Sequence, residues 1–172
     1  QRPLVFRQSN RAAEFIRGDE QPDNQELFRQ QGIILHQLFS AIRTIDDVDT
    51  VLQQMEMEGM ILSLLSKEKI QKLVHRALNN PIAKEWFSPK WKLFNERNIV
   101  RKNGIKAEDK RPDRVMISED QSEAIVVDFK FAAPHNDHRE QVERYKSLLS
   151  SMGYPSVKGY LWYVYTGKIQ SV

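Results

Sequence analysis

The stretch AIVVDFKF, residues 124–131, has the composition of a buried β-strand interrupted by two charges, Asp128 and Lys130. Its β-branched and aromatic residues, with neither Pro nor Gly, favour a strand. Burying charge without a partner is costly, so the two charges call for a reason. Side chains alternate across a strand, which puts Ile125, Val127 and Phe129 on one apolar face and Asp128 with Lys130 on the other. A carboxylate and an ammonium are thereby presented together on a rigid element, and a structural ion pair would account for that much. Upstream, RPDRVMI places Asp113 at the start of a neighbouring strand, with Pro112 setting the approach. Two carboxylates converging from adjacent strands beside a Lys form a hard-oxygen site suited to Mg²⁺ or Mn²⁺. Carboxylates brought close repel one another, and a divalent cation relieves that cost. A protonated Lys130 cannot ligate the ion, but it can orient or deprotonate a water, or neutralise charge developing on a phosphate.

The elements that must position these groups follow from periodicity. Residues 1–24 are polar and end in GDEQPDN, which predicts an irregular lead-in. From Gln25 the pattern is helical, with Leu35, Leu38, Phe39 and Ile42 on one stripe. Asp46 and Asp47 can cap a second helix carrying Val48, Val51, Leu52 and Met55 and closing near Gly59. Ser66 can cap a third, with Ile70, Leu73, Val74, Ala77 and Leu78 on one face and Asn79, Asn80 and Pro81 at its end. Strands are predicted over 91–102, 114–118, 124–131 and 157–167, with a turn at Gly104 and KIQSV as a candidate fifth strand. Between the third and fourth strands, Val142, Tyr145, Leu148, Leu149 and Met152 form a helical stripe stopped by Gly153. Three successive strands can form an antiparallel meander, and the later helix can cross over to a further strand. The expectation is one α/β domain: a helical part over 25–85 and an α/β core over 86–172.

Composition is that of an ordinary soluble globular protein, 28% charged and 40% hydrophobic over 172 residues. The absence of Cys excludes disulfides, thiolate zinc sites and a Cys nucleophile, and fits a reducing, cytoplasmic setting. No window is long and apolar enough for a membrane span, and no apolar secretory segment opens the chain. Gln1 in place of Met points to a piece of something larger. The net charge of +3 is compatible with a polyanionic partner, although Lys and Arg clusters at 67–76, 84–110 and 139–146 are equally what a solvated face would carry.

The pattern PD-x14-D-F-K, formed by Pro112-Asp113 and Asp128-Phe129-Lys130, resembles the signature of PD-(D/E)xK nucleases. Three further features resemble its RecB-like branch, which includes the nuclease domains of RecB and AddAB. They are His36 in GIILHQLF, Gln141 and Tyr145 in QVERY, and the glycine and aromatic run of GYLWYVY. The nearest likeness is to the nuclease domain at the C-terminus of UvrD/Rep-type helicase proteins, and it extends from about residue 10 to the end of the chain. The resemblance implies a restriction-endonuclease-like core, a mixed sheet flanked by helices. It implies metal ligation by Asp113, Asp128, His36 and the backbone carbonyl of Phe129, with Lys130 as the catalytic lysine. Gln141 and Tyr145, four apart on one helical face, would position the lysine or the scissile phosphate. Glu96 in FNERNI sits where the branch often carries an acidic residue. The implied activity is Mg²⁺- or Mn²⁺-dependent hydrolysis of DNA phosphodiesters, as the exonuclease module of a repair or recombination helicase. The implied partners are DNA ends and a helicase ATPase in the same or a partner chain. A DNA-binding module of the same fold with little or no catalysis is the alternative, and a basic interaction domain with purely structural charges is a third reading.

Other residues have plainer explanations. His135 and His138 form an H-x-x-H without a carboxylate partner, better suited to contact a phosphate than to hold a second metal. His75 lies outside its helix stripe and reads as exposed. Trp86, Phe87, Trp91 and Phe94 interleave with lysines, as bases and backbone would require, but also fit a helix-to-strand core junction. Trp162, Tyr163 and Tyr165 read as strand packing. TGKIQS contains Gly-Lys, but a phosphate-binding loop needs glycine at the position Trp162 occupies, so any motor activity must come from elsewhere.

Overall fold

The computed structural model of the chain describes residues 22–61, 67–94, 112–131 and 138–172. Helix α1 (Pro22–Ala41) starts earlier than its periodicity predicts. Pro22 opens it, because a first-turn residue has no intrahelical use for its N–H. Leu35, Leu38, Phe39 and Ile42 are all buried, as their spacing requires. Asp47 accepts the backbone N–H groups of Arg43 and Thr44 at 3.0 Å, fixing the turn that leads through a 3₁₀ segment (Ile45–Asp47) into α2 (Val48–Met57). Gly59 follows with φ +72°, the left-handed conformation that ends a helix at little cost to glycine. Helix α3 (Lys67–Leu78) buries Ile70, Val74, Ala77 and Leu78, while Ser66 lies outside the described residues.

Asn79-Asn80-Pro81 does not end the helical region. Asn80 Oδ1 accepts the N–H groups of Ile82 (3.0 Å) and Ala83 (3.4 Å), capping a fourth helix, α4 (Pro81–Trp86). An Asn N-cap followed by Pro at the first helical position is a start signal as well as a stop. The strand expected over 91–102 is described only as β1 (Lys92–Leu93), and Glu96 and Gly104 lie outside the described residues. Then come β2 (Arg114–Ile117), β3 (Glu123–Lys130), α5 (His138–Ser151), β4 (Ser156–Tyr163) and β5 (Lys168–Ser171).

The five strands lie in sequence order in a mixed sheet flanked by helices, a mixed α/β fold. β1, β2 and β3 form the antiparallel meander, α5 carries the chain across so that β4 runs parallel to β3, and β5 returns antiparallel. The alternation of β3 separates two apolar clusters. Ile125, Val127 and Phe129 join Trp162 and the buried residues of α1 to α4 on one face. Ala124 and Val126 join Leu161, Tyr163 and the Val142 and Leu149 of α5 on the other. Phe39 packs within 5.9 Å, centroid to centroid, of the rings of Phe87, Phe129 and Trp162, and so fastens α1 to the sheet. Burying a side chain of this kind contributes roughly 1.5–3 kcal/mol.

Helix α5 seats directly on Gly159 of β4. A Cβ there would stand 2.6 Å from Val142 Cγ1 and 2.7 Å from Lys146 Cδ. Lys146 can swing aside, but Val142 is fully buried and cannot. Gly159→Ala is therefore expected to push α5 off the sheet and lower stability by about 1–3 kcal/mol, the range typical of overpacking. A urea unfolding midpoint equal to wild type would contradict it.

Candidate active site

The register that pairs Arg114 with Val127 brings Asp113 alongside Asp128. Asp113 is fixed at both oxygens: Oδ2 accepts the Phe129 backbone N–H at 2.7 Å, and Oδ1 lies 2.5 Å from His36 Nε2. The imidazole thus reaches the carboxylate from α1, 77 residues away in the chain. It stands edge-on to Phe129 and Phe131, with centroids 6.4 Å away in each case. Asp113 and Asp128 face each other across the β2–β3 pair, and Lys130 Nζ sits 2.7 Å from Asp128 Oδ2. That oxygen is buried, and the ammonium meets it off the angles of a hydrogen bond, so it has a charged neighbour but no directed donor. His36, Asp113, Asp128 and Lys130 therefore form one linked cluster at the C-terminal end of β3.

The charges within it are unequal. Burial, and then the nearby Asp113 charge, push Asp128 up to about 7, against the pull of Lys130. Burial pushes Asp113 up as well, but the His36 hydrogen bond and charge, the Asp128 hydrogen bond and the Phe129 N–H together hold it below the usual carboxylate range. The Asp113 hydrogen bond raises His36 against the opposing effect of burial. With Asp128 pushed up and Asp113 held low, the pair is eased toward a single negative charge near neutral pH, which lessens their repulsion.

Among the described residues, no three metal-capable side chains converge on a single point. His36 Nε2 is turned onto Asp113 instead of standing beside it. The donor types are still those a hard divalent cation takes: two carboxylates paired across adjacent strands, one buried oxygen without a directed donor, and an imidazole within reach. The fourth expected ligand, the Phe129 carbonyl, belongs to the residue whose N–H anchors Asp113.

Gln141 and Tyr145 are half-buried on the side of α5 that carries Val142 and Leu149, so the helix brings them to the sheet face of Asp128 and Lys130. Trp86, Phe87 and Trp91 are buried, which makes them core residues. His75 is exposed, as expected, and His135 lies outside the described residues. A shallow depression of about 440 Å³ between Ile45, Pro81 and Phe87 touches none of the clustered charges.

Arg114 escaped the sequence reading, since a basic residue in RPDR looks like surface. It is 4% exposed. Its guanidinium donates to the carbonyls of Ile42 (2.6 Å), Arg43 (2.6 Å) and Trp86 (3.0 Å) and lies 4.1 Å from the centroid of the Phe87 ring. It thereby ties the start of β2, and Asp113 with it, to the C-terminal ends of α1 and α4. Arg114→Met should cost at least about 3 kcal/mol, because three carbonyls lose a charged donor. It should also weaken any function of Asp113. A thermal melt within two or so degrees of wild type would contradict the first expectation.

The chain matches no family model and no curated protein sequence. Among the described residues, no helix is long and apolar enough to cross a membrane.

Proposed function

We propose that the chain is a metal-dependent deoxyribonuclease with a restriction-endonuclease-like core. In this reading it is the RecB-like nuclease module of a cytoplasmic repair or recombination helicase, acting on DNA ends. The observation that carries the reading is the four-residue cluster. Buried Asp128 and largely covered Asp113, side by side on two strands, stand between an imidazole and an ammonium. A purely structural site gains nothing from holding two carboxylates against each other, whereas a cation site needs them there.

Asp113, Asp128, His36 and the Phe129 carbonyl would hold Mg²⁺ or Mn²⁺. Such an ion, when bound, lowers the pKa of a water and offsets phosphate charge. Phe129 N–H keeps Asp113 oriented. Lys130, partly exposed, offers an ammonium where negative charge grows on the phosphate. Gln141 and Tyr145 orient Lys130 or the phosphate from α5. The buried aromatic floor beneath β3 keeps water from the rear of the site. Neighbouring helicase and ATPase functions are assigned to the same or a partner chain.

The second reading, a DNA-binding module with little catalysis, is favoured by the turning of His36 onto Asp113. Linear single- and double-stranded DNA incubated with Mn²⁺, followed beside the Mn²⁺ dependence of the melting temperature, separates the readings. A nuclease is stabilised by the ion and shortens the DNA. Stabilisation without cleavage supports the binding module, and neither effect leaves a structural cluster only.

A further inference from the structure

Phe131 stands one residue beyond Lys130, just past the end of β3 where the charged cluster lies. Strand alternation sends it to the α1 side, where it packs on the main core and stays half-buried. A half-buried Phe alone needs no explanation. Its company does. One neighbour is His36, with a side chain 45% exposed, at 6.4 Å between centroids and 70° between planes. The other is Tyr165, at 5.5 Å and 74°. Both contacts are T-shaped, and among the described residues no ring is stacked parallel on Phe131. Gly32 adds a separate observation. It lies one turn before His36 in the interior of α1, where glycine weakens a helix relative to Ala. A Cβ there would stand 3.4 Å from Phe131 Cβ, 3.7 Å from its Cγ and 3.7 Å from the Tyr165 hydroxyl. Those are ordinary contacts that a methyl could make, so close packing does not demand glycine. A longer side chain would start out over the two rings, and its absence keeps them open from the helix side.

We infer that Phe131 is the stacking platform for an unpaired DNA base, next to the phosphate that enters the charged cluster. Tyr165 braces the ring edge-on, and Gly32 leaves room for the base. A base inside a duplex has both faces occupied by its neighbours, so the platform selects single strands and frayed ends. Every base has a π-face, so it confers no sequence preference. The inference deepens the nuclease reading and rests on it for the place of the phosphate, but stacking itself requires only binding.

The test compares the affinity of the 172-residue chain for octathymidylate and for an abasic strand with the same phosphates. Ca²⁺ is present throughout, since it takes oxygen ligands as Mg²⁺ does. Wild type should bind the thymidylate at least about 10-fold more tightly, as one base–aromatic stack provides. Phe131→Leu keeps apolar contact with Gly32 and should lose most of that ratio. Phe131→Trp should keep it, and its added fluorescence should be quenched by thymidylate but not by the abasic strand. Gly32→Met should lose the ratio by covering the ring, and it carries the test if Phe131→Leu does not fold. A wild type that binds both strands equally, or binds neither, would overturn the inference, as would an unchanged ratio in folded Phe131→Leu. If wild type never cleaves DNA with Mn²⁺ but the ratio depends on Phe131, the platform stands and the nuclease reading fails.

Discussion

Lys130→Ala is expected to slow DNA cleavage by at least about 100-fold, the typical cost of losing one charge-stabilising donor, while leaving the fold intact. The side chain is 23% exposed and its ammonium touches Asp128. Were the contact structural, deleting one member of a buried pair should cost about 3–5 kcal/mol. Asp128, however, is already pushed up to about 7 by burial and by Asp113, so near neutral pH it can respond to the loss of Lys130 by holding its proton. The penalty of an uncompensated charge is avoided, and the loss should appear in catalysis. Lys130→Arg should not rescue, because the wider, planar guanidinium cannot stand where a compact ammonium does. Circular dichroism and urea unfolding, run beside a nuclease assay, decide the matter. A destabilised variant that cuts as fast as wild type would mark Lys130 as a structural partner.

The second large effect is a pH dependence that reverses with metal. Between the ordinary Asp value of 3.8 and its folded value of about 7, Asp128 holds a proton in the folded chain that the unfolded chain has released. The unfolded state then binds fewer protons, so stability falls as pH rises through that window. His36 acts in the same direction. Its raised pKa contributes stability that is complete below its ordinary value of 6.5 and is lost as pH rises through the folded value. Asp113 acts oppositely and only on the acid side, where its lowered pKa contributes stability lost as pH falls below 3.8. The metal-free protein should therefore melt at lower temperature at pH 7.5 than at pH 5.5, with a slope of up to about 1.4 kcal/mol per pH unit for one proton. Added Mn²⁺ competes with that proton, so its stabilising effect should grow with pH. Asp128→Asn should flatten the metal-free slope and abolish the response to Mn²⁺. An unchanged slope in the variant would show that the proton resides elsewhere.

Much of this arrangement could be read from the sequence because it is local. Alternation along residues 124–131 separated Asp128 and Lys130 from Ile125, Val127 and Phe129, and the two faces of β3 are divided in that way. The stripe on α1 and the crossover by α5 followed from periodicity in the same manner. The pairing of His36 with Asp113 spans 77 residues, and no spacing rule connects them; only the likeness to RecB-like nucleases suggested it. Helix α4 was missed because Asn-Pro was read only as a terminator. Tyr163 and His138 looked unrelated, since their meeting depends on the parallel register of β4 and on how deeply α5 sits over Gly159. Asp113 is also the acceptor for a strand N–H, which no pattern announced, so its removal should disturb the local backbone.

Arg114 follows Asp113 immediately, yet the pleat sends its guanidinium to the opposite side of the sheet, against helix-end carbonyls. Burial lowers its pKa only to about 10, so it remains cationic at neutral pH. The positive group nearest in sequence is thus kept from neutralising the acidic pair. A chain that had let it turn inward would have closed on itself as a finished ion pair. This one leaves the two acids to Lys130 and His36, and, on the reading proposed above, to a divalent cation.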